Sequence, residues 1–160
     1  MEMRETVLAW LRDAHAMEAA AIDNLERNID RFDEYPSVQQ KFREDLEQSK
    51  RHVEELDLIL DKMGGDRSVL KDMSMKFAGM MQPYLGAMAS DEVVKHLLAA
   101  HAYENFEVAS YRSLAAAAEQ IGEMQLKDMA ERSLGQKKMM ADWIDQQLPS
   151  VTREYLRKVQ

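Results

Sequence analysis

The tetrapeptide His-Ala-x-Glu occurs twice in this chain, at His15–Glu18 and again 86 positions later at His101–Glu104. Around each copy, residues recur at alternating spacings of three and four, and the second series repeats the first. The first series is Leu8, Leu11, His15, Glu18, Ile22, Leu25 and Ile29, and the second is Val94, Leu97, His101, Glu104, Val108, Tyr111 and Ala115. This spacing marks the buried face of a helix packed among other helices. Each repeat therefore places a histidine and a carboxylate where leucine would be expected.

Two acidic side chains on buried helical faces need neutralising partners, because an ionised carboxylate is costly to bury alone. A metal ion, a cation or hydrogen bonds would serve. If the two repeats form halves related by an approximate two-fold axis, Glu18 and Glu104 face each other at the same depth. We therefore predict a site built between the halves.

The composition limits the class of protein. A length of 160 residues suits one domain, spanning residues 1–160, with a substantial core. The formal net charge of -8 repels nucleic acid and anionic lipid, so we expect neither as a partner. The chain has no run of about 18 apolar residues, so we expect no membrane span. Its first residues also lack the apolar stretch of a secretory signal. Cysteine is absent, which fits a cytoplasmic protein.

Turn signals divide the chain into helices, and no segment alternates as a strand would. Pro36 suits a first helical turn, and Gly64, Gly122 and Pro149 are predicted to end helices. Pro83, together with Gly86, is expected to kink or split the connecting segment. The predicted helices are residues 4–32, 36–63, 67–89, 91–121 and 123–148, with a short tail helix at 151–158. Ser90 and Asp91 are predicted to cap the helix that follows them.

This order gives two antiparallel hairpins joined by a connection of roughly 25 residues that must cross the bundle. Four long helices with one crossover predict an all-α, ferritin-like four-helix bundle. Five of the 13 methionines lie in the crossover, where their flexible side chains favour core or interface packing. They are Met73, Met75, Met80, Met81 and Met88.

The duplicated residues suggest a di-metal chemistry. Ferritin-like di-iron sites take one glutamate from each of two helices and a Glu-x-x-His pair from each of the other two. Glu18 and Glu104 fit the first requirement, and Glu107, one turn further on, is a candidate for a further oxygen ligand. The remaining candidates are histidines, as ligands or as groups that orient ligands. They are His15, His101 and His52.

The other two helices lack the required pairs. The residue three positions before His52 is Ser49, and the stretch from Ser133 to Met140 contains neither a carboxylate nor a histidine. A standard di-iron site is therefore missing ligands. Three interpretations of Glu18 and Glu104 stay open. They bind an iron or manganese ion, they form a buried carboxylate pair satisfied by lysine, arginine or tyrosine, or they face a substrate as acids. Tyr103, Tyr111 and Trp143 are expected in the core, and His52 is expected to be partly exposed.

Three segments of the chain resemble the YciE/YciF-type ferritin-like bacterial stress proteins. They are Leu11–Glu18, Ser90–Lys95 and Tyr103–Leu114, of which the last is the most specific, and the tail Leu148–Thr152 extends the likeness. The resemblance implies a four-helix bundle with an extra crossover helix, a homodimer, a candidate di-metal centre and a role in stress. On this family pattern Glu18, Glu104 and Glu107 occupy the acidic positions.

The chain departs from the family pattern on two helices. The family commonly has glutamate where this chain has Gln48, and again where it has Gln136 and Lys137. A glutamine loses a charge and a lysine reverses it. Our hypothesis is that the ammonium of Lys137 or Lys138 stands where relatives hold a metal, pairing Glu18 and Glu104.

Two functions follow from these alternatives. The favoured one is a non-enzymatic, stress-associated bundle whose di-metal site is partly degenerate. The alternative is a di-iron or di-manganese oxidoreductase that oxidises ferrous iron or reduces peroxide. The sequence identifies no catalytic residue and no small-molecule substrate.

Overall fold

The computed structural model describes residues 2–88 and 92–160, and within those ranges every regular element is helical. The helices are α1 (Met3–Asn28), α2 (Pro36–Lys62), α3 (Leu70–Met80), α4 (Gln82–Met88), α5 (Val93–Gln120) and α6 (Met124–Lys158). A short 3-10 turn, Ile29–Phe32, extends α1. The predicted all-α class is confirmed.

The four long helices form two hairpins that close on each other. Helix α1 packs against α2, and α5 packs against α6; contacts of α1 with α5 and of α2 with α6 complete the bundle. The crossover runs outside it, with α3 lying against α1 and α4 against α5. This is the ferritin-like arrangement that the helix order predicts.

Two glycines end helices by adopting a left-handed backbone. Gly64, after α2, has φ 73°, and Gly122, after α5, has φ 77°. L-residues with a Cβ rarely adopt this conformation, whereas glycine does so freely. The turn from α2 into the crossover and the turn between α5 and α6 therefore depend on a residue without a Cβ.

An aromatic group fixes the start of α5. The buried His96 ring lies against Phe32 and Phe42, with ring centroids 4.4 and 4.7 Å away. Its Nδ1 is 2.6 Å from the carbonyl oxygen of Met88. Burial lowers the pKa of His96 to about 4, so this ring is a neutral core group. This histidine lies apart from the predicted site.

The predicted helix end at Pro149 is wrong, because α6 continues as one helix to Lys158. Proline removes only the hydrogen bond to the carbonyl of Asp145, and both residues are exposed, so water can satisfy that oxygen. Beyond the proline, Val151 is buried and Tyr155 packs against the core. This tertiary packing keeps the last turns helical.

The crossover is split, as Pro83 and Gly86 predict. The break falls at Met81, and Pro83 lies in the first turn of α4, where its missing N–H has no helical partner to lose. The cap predicted at Ser90 and Asp91, and the helix end predicted at residue 89, lie outside the described residues.

The crossover methionines divide between core and surface. Met81 and Met88 are buried, whereas Met75 and Met80 are exposed. Exposed methionines suit an interface, and the homodimer stays a prediction. Among the described helices, none combines the length and hydropathy that crossing a membrane requires.

Substituting glycines tests the role of the left-handed backbone at the two helix ends. We expect Gly64→Ala and Gly122→Ala each to lower the free energy of unfolding by about 1–2 kcal/mol, because alanine is strained at positive φ. Gly135 lies within α6 with open space around its Cα, so Gly135→Ala should raise stability by up to about 1 kcal/mol. Urea denaturation of the three variants measures both signs, and losses of equal size at all three positions would contradict this account.

Candidate functional site

Four buried carboxylates surround one buried lysine at the middle of the bundle. They are Glu18 on α1, Asp45 on α2, and Glu104 and Glu107 on α5, and we refer to them as the carboxylate cluster. Their exposed fractions are 0%, 3%, 4% and 0%, and that of Lys137 on α6 is 0%. Every long helix of the bundle thus contributes at least one charged or ionisable group to the same interior volume.

The Lys137 ammonium forms the centre of this arrangement. Its Nζ lies 3.0 Å from Oε2 of Glu107, and 3.6 Å from both Oε2 of Glu18 and Oδ1 of Asp45. It also donates a hydrogen bond to Oγ of Ser49 at 2.9 Å. One lysine therefore links α6 to the other three long helices through charge-assisted contacts.

Two ring side chains orient Glu18. The Tyr111 hydroxyl donates a hydrogen bond to Oε1 of Glu18 at 2.8 Å, and Nδ1 of His52 lies 3.4 Å from the same oxygen. The other ring nitrogen of His52 contacts Oε1 of Gln136 on α6. Both carboxylate oxygens of Glu18 therefore lie beside a hydrogen-bond donor or a positive charge. These partners stabilise the ionised form of the side chain.

The two repeat-related glutamates differ in their electrostatics. Burial alone would raise the pKa of Glu18, but the Lys137 ammonium and the contact with His52 outweigh it and lower that pKa to about 2. Burial raises the pKa of Glu104 well above its ordinary value, and the neighbouring Asp45 carboxylate adds to that shift. The duplicated positions are therefore one anion and one group that favours its protonated form.

Bound protons reduce the negative charge of the carboxylate cluster further. Burial also raises the pKa of Glu107 well above its ordinary value, although the adjacent ammonium opposes this. Burial lowers the pKa of Lys137, but the surrounding carboxylates outweigh burial and raise it well above the usual range. The lysine is therefore charged, and bound protons on Glu104 and Glu107 offset two of the three negative charges by which the four carboxylates exceed the one ammonium.

The structure brings some of the predicted site residues together and separates others. Glu18, Glu104, Glu107 and His52 all lie in or against the carboxylate cluster. The expectation that His52 would be partly exposed is wrong, since its exposed fraction is 3%. Its ring fills the space between α1 and α6, where it bridges Glu18 and Gln136.

The two histidines of the repeated tetrapeptide lie outside this cluster. Nε2 of His15 is 3.0 Å from Oδ1 of Asp57 on α2, and Nδ1 of His101 lies 3.4 Å from the amide nitrogen of Asn105. Both histidines are only partly buried. On a helix, a residue and the one seven positions further on point in nearly the same direction. A residue three positions before them is turned to one side, as each histidine is relative to its glutamate. The glutamates therefore face the core centre and the histidines face its edge.

Of the two lysines considered, only Lys137 is buried; Lys138 is exposed. The structure adds a carboxylate that the sequence reasoning missed, Asp45, together with Ser49. The sequence pattern could have identified both residues, because they lie with His52 in a row of alternating three- and four-residue spacings along α2. That row is Val38, Phe42, Asp45, Ser49, His52, Leu56, Ile59 and Met63.

The donor set as arranged does not fit a di-metal centre. The Lys137 nitrogen lies within 3.6 Å of three of the carboxylates, and at such distances its charge strongly repels a divalent ion in a buried site. Within residues 2–88 and 92–160, no group of three or more histidine, aspartate and glutamate side chains has the geometry of a metal site. The arrangement supports ion pairing and proton storage.

The fold and its buried polar centre define the class of this protein as a ferritin-like helical bundle. Within that class the chain belongs to the family described as Domain of unknown function (DUF892), whose sequence pattern matches residues 2–157. The predicted relationship to the YciE/YciF-type proteins is confirmed.

Solved structures share this fold over nearly all of the chain. A protein of Xanthomonas campestris pv. campestris is 25% identical with a TM-score of 0.83, and 99% of each chain is covered. The E. coli stress protein YciF is 20% identical with a TM-score of 0.72, again over 99% of each chain. YcfI of Rhodopseudomonas palustris is 22% identical with a TM-score of 0.71, over 91% of this chain and 94% of that one.

Removing the buried ammonium tests its role in the cluster. We expect Lys137→Met to lower the free energy of unfolding by about 3–5 kcal/mol near neutral pH, because it leaves buried carboxylates without their counter-charge. The loss should shrink on acidification as those carboxylates take up protons. Lys138→Met, the exposed neighbour, is the matched control and should change stability by less than about 0.5 kcal/mol. Equal stability of the two variants in urea denaturation would show that the ion pairs contribute nothing.

Replacing Glu104 by its neutral isostere tests the stored proton. Because the folded-state pKa of Glu104 is raised, its contribution to stability is complete below the ordinary carboxyl pKa and is lost as pH rises towards the folded-state value. Wild-type stability should therefore fall as the pH rises above the ordinary carboxyl range, and Glu104→Gln should make that fall shallower. Glu107 supplies the slope that remains. Urea denaturation at several pH values measures the free energy of unfolding of each protein, and the exposed Glu131→Gln is the control. Parallel pH profiles of the wild type and Glu104→Gln would refute the proposed proton on Glu104.

Proposed function

We propose that this chain is a non-enzymatic, stress-associated helical bundle in which the Lys137 ammonium takes the place of a metal. The observation that carries the proposal is the fully buried Nζ at 3.0 Å from Glu107 and 3.6 Å from both Glu18 and Asp45. A permanent internal cation neutralises the acidic interior without an ion from solution. Such a bundle keeps its structure when metal is scarce or chelated.

The residues around the lysine support this proposal. Gln48 and Gln136, two of the positions where the family commonly has glutamate, line a cavity of about 50 Å³ beside Asp45. Their neutral amides supply fewer anionic ligands than a pair of divalent ions requires. A di-iron or di-manganese oxidoreductase, the alternative, would need that lost charge restored.

Two relatives bear on the proposed biological role. The E. coli relative is named a stress protein, and the R. palustris relative carries a provisional description as a structural protein. We propose a corresponding role for this chain, as a protein that acts through its bundle rather than through turnover. We also propose a cytoplasmic location for it, in line with the absence of cysteine.

Metal binding by matched variants tests the proposal. The purified chain, treated with ferrous iron under anaerobic conditions and then desalted, should retain no stoichiometric iron and should neither oxidise ferrous iron nor consume peroxide. Lys137→Glu removes the ammonium and adds a carboxylate among the existing ones, so it should gain iron binding. Bound iron should also raise the thermal midpoint of this variant, through preferential binding to the folded state.

Two controls make the result decisive. Lys138→Glu adds the same charge at the surface and should bind no iron, and Glu18→Ala in the Lys137→Glu background should abolish the gained binding. If the wild-type chain instead retains one or two iron or manganese ions that Glu18→Ala removes, the lysine hypothesis fails. Metal-dependent turnover of peroxide would then establish the oxidoreductase.

A further inference from the structure

A small polar cavity lies between α2 and α6, beside the carboxylate cluster. Its volume is about 50 Å³, and its polar lining residues are Lys41, Glu44, Asp45, Gln48 and Gln136. An ordered water molecule needs at least about 10–15 Å³ and several polar partners, so this cavity has room and partners for water. We refer to it as the α2–α6 inlet.

The residues of the α2–α6 inlet range from the surface to the interior of the bundle. Glu44 is exposed, Gln48 and Gln136 are half-buried, and Asp45 is buried with an exposed fraction of 3%. The inlet therefore extends from the solvent to one member of the carboxylate cluster. Glu18, Glu104 and Glu107 do not line it.

The charged residues nearer the surface neutralise each other. Nζ of Lys41 lies 3.5 Å from Oε2 of Glu44 and 5.8 Å from the centroid of the Trp143 ring. The Lys41 ammonium thus has partners outside the carboxylate cluster. It does not replace Lys137 as the counter-charge of the buried acids.

Asp45 contacts the interior of the cluster as well as the inlet. Its Oδ1 is 3.6 Å from Nζ of Lys137, and its side chain forms a hydrogen bond with Glu104. Two carboxyl groups can share a hydrogen bond only when one of them carries a proton. Glu104 therefore donates and Asp45 accepts, so that Asp45 lies between a stored proton and the inlet.

We propose that the α2–α6 inlet is the route by which protons enter and leave the carboxylate cluster, with Asp45 as the relay between Glu104 and water in the inlet. Proton transfer requires hydrogen-bond reach, directly or through one water. For each proton that leaves, the O–H bond of Glu104 breaks as one forms on Asp45, and Asp45 then gives its proton to the water. The interior charge can thus adjust to the external pH while the bundle stays folded.

Hydrogen–deuterium exchange followed by infrared spectroscopy tests the proposal. The C=O stretching band of a protonated carboxyl group shifts when deuterium replaces its proton, and the band that Glu104→Gln removes belongs to Glu104. The slowest backbone amides of the same sample report opening of the whole bundle. After transfer of the purified chain to deuterium oxide, we expect the Glu104 band to shift at least about a hundredfold faster than those amides exchange.

Two variants and one control locate the route. Gln48→Phe should fill the inlet and slow the shift of the Glu104 band to the rate of the slowest amides. Asp45→Asn keeps the shape of the side chain but removes the relay, so it should slow the shift in the same way. Gln40→Phe, the same substitution at an exposed position of α2 outside the lining, should keep the wild-type rate. Rates are compared with the amides of each variant, which corrects for differences in stability.

Two results would overturn the proposal. In the first, the wild-type Glu104 band shifts no faster than the slowest amides exchange, so the cluster is closed until the bundle unfolds. In the second, Gln48→Phe or Asp45→Asn keeps the wild-type rate, so protons bypass the inlet or the relay. Neither result bears on iron binding, so a failure here is distinguishable from a failure of the proposed function.

Discussion

The ion pairs of Lys137 set the constraint on which the rest of the interior depends. An ammonium at 0% exposure is tolerated only with anionic and hydrogen-bonding partners close by, and these come from α1, α2 and α5. Sliding any one of these helices by a turn would separate a charge from its partner. The polar centre therefore specifies the register of the bundle, whereas the apolar core supplies most of its stability.

The two halves of the molecule share a pattern but not a charge state. Glu18 and Glu104 occupy equivalent positions of the repeat, yet Glu18 is paired with Lys137, His52 and Tyr111, whereas Glu104 lies beside Asp45. The Lys137 ammonium forms an ion pair with Glu18 at 3.6 Å but none with Glu104. The asymmetry of one lysine on α6 therefore divides a nearly symmetric frame into an ionised side and a protonated side.

Some helices of the site were easier to predict from the sequence than others. The repeat identified Glu18 and Glu104 correctly as buried acids, because a strict three-four row is explicit in α1 and α5. Asp45 was missed because apolar Leu46 lies next to it, and an apolar residue is the ordinary choice for a buried helical position. A single-residue error rotates a helical face by about 100°. Lys137 was identified only because the family comparison marked an expected carboxylate at that point.

The sequence by itself determined the helices, the crossover and the depth of two buried acids, since these follow from periodicity and from glycine along one chain. Only the tertiary structure decided that Lys137 rather than Lys138 enters the core, that His15 and His101 turn to the edge, and that α6 passes through Pro149. These outcomes depend on distances between side chains of different helices. Periodicity determines the direction in which a side chain points, but the partner it meets depends on how the helices pack.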